Sequence, residues 1–84
     1  MTLPDLRGKV AVITGASRGI GAGLAKEFQA RGLRLALCSR GAPVLADDGG
    51  SVLAHRFDVT DAKQMEAFAA AAIARHGRVD LWIN

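Results

Sequence analysis

Eight residues, Thr14-Gly15-Ala16-Ser17-Arg18-Gly19-Ile20-Gly21, constrain this chain more than any others. They follow an apolar run, Val10 to Ile13, and lead into a helical pattern that starts near Ile20. A glycine-rich turn between a buried strand and a helix is a common way for a protein to hold a pyrophosphate. The first glycine permits the tight turn, the second lets the backbone approach the phosphates, and the third lets helix and strand pack closely. The phosphates then lie at a helix N-terminus, where free N–H groups and the helix dipole favour negative charge. Gly15, Gly19 and Gly21 supply the three glycines, with the strand before them and the helix after them that the motif requires.

The rest of the chain alternates strand and helix. Lys9 to Thr14 reads as a strand whose apolar run does not alternate, the mark of burial on both faces in a parallel sheet. A helix is expected from about Gly19 to Arg31, with Ile20, Leu24 and Phe28 as its apolar stripe and Gly32 as its stop. Arg34 to Ser39 reads as the second strand. Residues 41–50 are too short and too rich in breakers for a helix, and Pro43 starts at most a single turn ending by Asp48. Val52 to Phe57 reads as the third strand.

Asp61 to His76 is the clearest helix, with Thr60 or Asp61 as its cap and Gly77 as its end. Its expected inner face is Met65, Phe68, Ala69, Ala72, Ile73 and His76. Asp80 to Asn84 begins a fourth strand, and residues 1–8 form an arm broken by Pro4 and Gly8. The order predicts an α/β fold: a Rossmann-type doubly wound parallel sheet, of which residues 1–84 form a partial domain. This is the N-terminal half, in strand order 3-2-1-4 and cut within its fourth strand. Its ligand crevice would open where the winding direction switches, between strands one and four.

Composition excludes several classes. Eighty-four residues allow at most one small domain, and a chain this short hides only a little over half of its unfolded surface. The formal charge of +3 comes from scattered residues, so a nucleic-acid surface is not expected. Cys38 is the single cysteine and lies in an apolar run, where it packs as a small hydrophobe. The N-terminus has no apolar secretory core, and no run is long enough to span a bilayer, so a cytoplasmic setting is expected. No Cys/His spacing suits a metal. His55, His76 and the adjacent Asp47-Asp48 read as structural or exposed residues.

Thr-Gly, three residues, Gly, one residue, Gly resembles the nucleotide motif of the short-chain dehydrogenase/reductase family. It is neither Gly-x-Gly-x-x-Gly nor a P-loop, because no Gly-Lys-Ser/Thr ends it. Leu6 to Ile13 is similar to that family's first strand and its approach. In dinucleotide-binding units a carboxylate about 20 residues past the glycine motif takes the ribose hydroxyls. Here that stretch is Ser39-Arg40, so no carboxylate stands there to repel a 2′-phosphate and a guanidinium is placed to bind one. Arg18 could approach the same phosphate from the other side.

The resemblance implies NADP rather than NAD. It gives Gly15, Gly19, Gly21 and the Ile20 N–H to the pyrophosphate, and Ser17, Arg18, Ser39 and Arg40 to the ribose-phosphate side. Asp58-Val59 matches the family's Asp-Val pair, which implies that Asp58 accepts from the adenine amino group while Val59 packs on the ring. Asp80 to Asn84 resembles the approach to the family's Asn-Asn-Ala-Gly signature, with Asn84 as its first asparagine, holding the central sheet beside the cofactor.

By the same resemblance the complete protein is a homo-oligomeric oxidoreductase acting on an alcohol or carbonyl compound. This chain matches about the first third of a typical member and contains no tyrosine, so the family's Tyr-x-x-x-Lys pair is not in it. Alone it is expected to be poorly stable, to bind nucleotide weakly and to turn nothing over. The alternative is a non-catalytic piece that binds nucleotide or pairs through its open sheet edge. Residues 41–50 stand where members usually carry a full helix, which is expected to leave one sheet face thinly covered.

Overall fold

The computed structural model describes residues 5–84, so the break expected at Pro4 lies outside the described residues. The chain runs β1 (Val10–Thr14), α1 (Gly19–Ala30), β2 (Arg34–Ser39), β3 (Val52–Arg56), α2 (Ala62–His76) and β4 (Leu81–Ile83). All pairings are parallel and the sheet order is β3-β2-β1-β4, as the pattern predicts. Val12 sits opposite both Ala36 and Trp82, so β1 is an inner strand with β2 on one side and β4 on the other.

Successive strand residues point to opposite faces. Ala11, Ile13, Leu35, Leu37 and Val52 pack on the α1 side around Ala25. Val12, Ala36, Cys38 and Leu53 pack on the α2 side around Phe68 and Ala72. Because both faces are covered, Val10–Ile13 of β1 and residues 35–38 of β2 are unbroken apolar runs rather than alternating. The Phe68 ring anchors the second layer, with the rings of Phe57 and His55 centred 5.6 and 5.5 Å away.

Helix ends follow their residues. Gly32 (φ 82) closes α1, its N–H donating to Gln29 O while Leu33 N–H donates to Phe28 O, both at 3.0 Å. That is a Schellman ending, which needs the left-handed residue glycine supplies. Of the two candidate caps for α2, Asp61 is the one used: its Oδ1 accepts the Gln64 N–H at 3.1 Å. His76 is buried in the last turn, and its Nε2 donates to the Leu35 carbonyl at 2.7 Å, a structural role as expected.

Two apolar positions differ from the predicted stripes. Ile20 is 83% exposed and Ile73 is 51% exposed. The inner face of α1 is centred on Gly21, Leu24, Ala25 and Phe28, and Ile20 stands in the first turn, off that face. In α2 the buried residues are Phe68, Ala72 and His76. One residue step turns a helix by about 100°, which carries Ile73 away from Ala72 and into solvent.

The link between β2 and β3 forms no helix, as expected, but it is not idle. Val44 and Leu45 pack onto the α1-side core, and Val44 N–H donates to Ala16 O at 2.9 Å. The cover expected to be thin on that face is therefore partly supplied by the link itself. Asp47 and Asp48 are likewise more than exposed loop residues. Asp48 Oδ1 accepts the Val52 N–H at 2.9 Å and Asp47 Oδ2 accepts the Ala54 N–H at 3.1 Å. Arg75 donates to Asp47 Oδ1 at 2.8 Å and to the Val52 carbonyl at 3.1 Å. Backbone groups on the β3 edge are thus occupied by side chains, which blunts an edge that would otherwise invite another strand.

Candidate functional site

The glycine turn stands over the end of β2. Gly15 and Ala16 N–H both donate to Cys38 O, at 2.9 and 3.3 Å. Gly15 (φ 70) and Gly19 (φ 65) hold left-handed conformations that a side chain would strain. Gly21 is needed for a different reason. A Cβ there would lie 2.5 Å from Gly15 O and 3.1 Å from Gly15 C, so α1 can sit on the turn only without one.

Arg18 precedes α1 in an extended conformation and gives no side-chain cap, and the first turn holds no acidic residue. The first amides of a helix have no partner within it. With no side chain among the described residues taking them, they are open to an anion.

An open groove of about 820 Å³ runs along this end of the sheet. The turn contributes Thr14, Gly15, Ser17, Arg18 and Gly19 to its lining, the end of β2 contributes Ser39, Arg40 and Gly41, and the turn after β3 contributes Val59. Most of the residues singled out from the sequence are therefore brought to one place. Four are not in the lining. Ile20 projects into solvent, Gly21 lies behind Gly15, Asp58 stands beside Arg40, and Asn84 is at the end of β4 beyond β1.

Internal bonds fix several of these groups. The buried Ser39 hydroxyl donates to Gly41 O at 2.6 Å, bending the chain where it presents Arg40. Asp58 Oδ1 accepts the Thr60 N–H at 2.9 Å and its hydroxyl at 2.7 Å, and these bonds hold the Asp58 carboxyl below the usual carboxylate range. Asp58 Oδ2 lies 3.8 Å from Arg40 Nε, a smaller contribution in the same direction. Asn84 Oδ1 accepts the indole N–H of Trp82 at 2.9 Å and the Thr14 hydroxyl at 3.3 Å, tying β4 to the end of β1.

Thr14 and Gly41 were not among the predicted site residues. Thr14 was legible as the head of the glycine motif, whereas nothing but its place after Arg40 marked Gly41. Cys38 offers no nucleophile, since burial pushes its thiol up to about 11. Among the described residues no group of three His, Cys, Asp or Glu could hold a metal, and no helix is long and apolar enough to cross a membrane. A smaller hollow of about 230 Å³ at the other end of β1 is lined by Asp5, Leu6, Arg7 and Arg31. Asp5 and Arg7 there are spent on each other at 2.8 Å.

Parallel strands in the order 3-2-1-4, with a glycine turn from β1 into α1, define a Rossmann-type α/β unit. The description of the short chain dehydrogenase family matches residues 9–84, and the chain belongs to that family. D-threitol dehydrogenase of Mycolicibacterium smegmatis is 44% identical over 86 residues, spanning 94% of this chain and 33% of that protein. The 3-ketoacyl-(acyl-carrier-protein) reductase from Brucella melitensis, solved with NADH, superposes with a TM-score of 0.81 at 34% identity, over 92% of this chain and 34% of that one. A metagenomic short-chain oxidoreductase solved with NADP gives a TM-score of 0.78 at 37% identity, over 94% and 39%. The chain spans about a third of the length of the curated relatives it matches.

Proposed function

We propose that these residues are the N-terminal, cofactor-binding part of a cytoplasmic, homo-oligomeric oxidoreductase that uses NADP in preference to NAD on an alcohol or carbonyl substrate. The observation that carries this reading is that Arg18, inside the glycine turn, and Arg40, just past the end of β2, line one groove together with Gly15 and Gly19. Gly15 and Gly19, left-handed and with open space where a side chain would stand, suit a group approached by bare backbone, as a pyrophosphate is. Short-chain relatives solved with NADH and with NADP use the same fold, so the choice of cofactor rests on this chain's own residues.

Gly15, Gly19, the Ile20 N–H and Gly21 are assigned to the pyrophosphate, where the helix N-terminus offers donors and positive potential. Arg18 and Arg40 are assigned to the 2′-phosphate, with Ser17 and Ser39 shaping the wall between them. Arginine matches phosphate geometry with two donors in one plane. Asp58 and Val59 are assigned to adenine, and Asn84 to bracing the central strands beside the cofactor. When bound, the cofactor supplies hydride transfer at its nicotinamide. These residues anchor its other end, and positioning of this kind contributes much of the catalysis in such enzymes. The proton donor of the reaction is assigned to residues other than these 84, and the chain alone is expected to show no turnover.

Arg40→Asp tests the assignment. A carboxylate at that position repels a 2′-phosphate and accepts from ribose hydroxyls, so the preference between NADP and NAD should move toward NAD by tenfold or more. An unchanged ratio of the two dissociation constants would remove the 2′-phosphate assignment.

A further inference from the structure

Of the two cations lining the groove, one already has a partner. Arg18 makes no ion pair among the described residues, whereas Arg40 Nε lies 3.8 Å from Asp58 Oδ2. The two members of this pair differ in freedom. Thr60 gives both its N–H and its hydroxyl to Asp58 Oδ1, at 2.9 and 2.7 Å, so the carboxylate cannot rotate away without losing both bonds. The Arg40 side chain is 81% exposed and can move. A fixed negative charge therefore stands next to a mobile positive one at the rim of the groove.

We infer that Asp58 is a specificity-determining residue that competes with a 2′-phosphate for Arg40 and so sets how strongly the groove prefers NADP. This rests on the assignment of Arg40 to the 2′-phosphate and adds a second effect to the adenine contact assigned to Asp58. Two physical terms carry it. Arg40 must exchange a carboxylate for the phosphate rather than water for the phosphate, and the Asp58 charge remains close enough to repel a phosphate dianion. NAD has hydroxyls where NADP has that phosphate, and neither term acts on it. Asp58 thus holds back NADP selectively, keeping the Arg40 site from binding 2′-phosphorylated nucleotides as tightly as its guanidinium alone would.

The discriminating variant is Asp58→Asn, which keeps an oxygen to accept from Thr60 and removes only the charge. Dissociation constants for NADP and NAD are measured by calorimetric titration in the complete protein and in its Asp58→Asn, Arg40→Gln and double variants. The ratio of the two constants is the readout, because lost adenine contacts or a disturbed fold weaken both nucleotides alike. Asp58→Asn should raise the preference for NADP by about 2- to 5-fold, the scale of an exposed ion pair. In the Arg40→Gln background the gain should largely vanish. A ratio that Asp58→Asn leaves unchanged overturns the inference, as does a gain of the same size with and without Arg40. If Arg40→Gln lowers the NADP preference while Asp58→Asn does nothing to it, the inference fails alone. If Arg40→Gln itself leaves the ratio untouched, the Arg40 assignment falls and the inference falls with it.

Discussion

Gly21 and Gly23 lie two residues apart in α1, and adding the same methyl group to each should have opposite effects. At Gly21 the new Cβ would sit 2.5 Å from the Gly15 carbonyl oxygen, nearly an ångström inside ordinary contact, and backbone lies on both sides of the clash. Neither side is a flexible tip that can swing aside, so α1 must lift off the turn. Overpacking of this kind costs about 1–3 kcal/mol, against which alanine returns about 1 kcal/mol of helix propensity. Gly21→Ala should therefore be destabilised by up to about 2 kcal/mol, and the displaced turn should weaken NADP binding by tenfold or more. At Gly23 a Cβ meets nothing within 4 Å. In the complete protein Gly23→Ala should gain about 1 kcal/mol, raise the melting temperature by about 2–4 °C, and leave affinity unchanged. Urea unfolding followed by circular dichroism, with calorimetric titration of NADP, reads both quantities. If Gly21→Ala proved as stable and as tight-binding as Gly23→Ala, the close approach of α1 to the turn would not be what the glycine is for.

The two exposed or buried faces of α2 should separate cleanly. Phe68→Ala should cost about 3–5 kcal/mol in urea unfolding, while Ile73→Lys should stay within about 0.5 kcal/mol of the parent. Stability should also fall in acid. The Arg75 guanidinium and the Gly49 and Ala54 amides hold the Asp47 carboxyl at about 2, below its ordinary 3.8, so its contribution is present above the ordinary value and is lost as pH falls toward 2. Unfolding measured down that range should be less steep in pH for Asp47→Asn than for the parent, and an identical slope would remove Asp47 from the link's anchorage.

Much of this fold is legible because two strong local signals agree. Unbroken apolar runs at Val10–Ile13 and Leu35–Cys38 require cover on both faces, and a right-handed crossover then leaves little choice of strand order. The glycine turn was legible for the same reason: each of its three glycines answers a separate backbone demand that no other residue meets. What the sequence concealed depends on geometry at the ends of elements. Ile20 belongs to the right helical period but stands in the first turn, off the face that packs on the sheet. Ile73 follows Ala72 directly, and a stripe read too widely takes it in. Asp47 and Asp48 look like loop formers, and only the return of the link along β3 turns them into acceptors for its edge. The Arg40–Asp58 pair joins residues 18 positions apart, whose meeting depends on the β2–β3 pairing register.

If the groove over the ends of β1 and β2 holds the adenosine end of a 2′-phosphorylated dinucleotide, a nucleotide carrying only that end should bind there. Titration with adenosine 2′,5′-bisphosphate, followed residue by residue through backbone amide resonances, tests it most directly. Saturable shifts are expected at Gly15, Arg18, Gly19, Arg40, Gly41 and Val59, with much smaller shifts for adenosine 5′-monophosphate at the same concentration and none around Arg31 at the far end of β1. Shifts centred elsewhere, or equal responses to the two nucleotides, would contradict it.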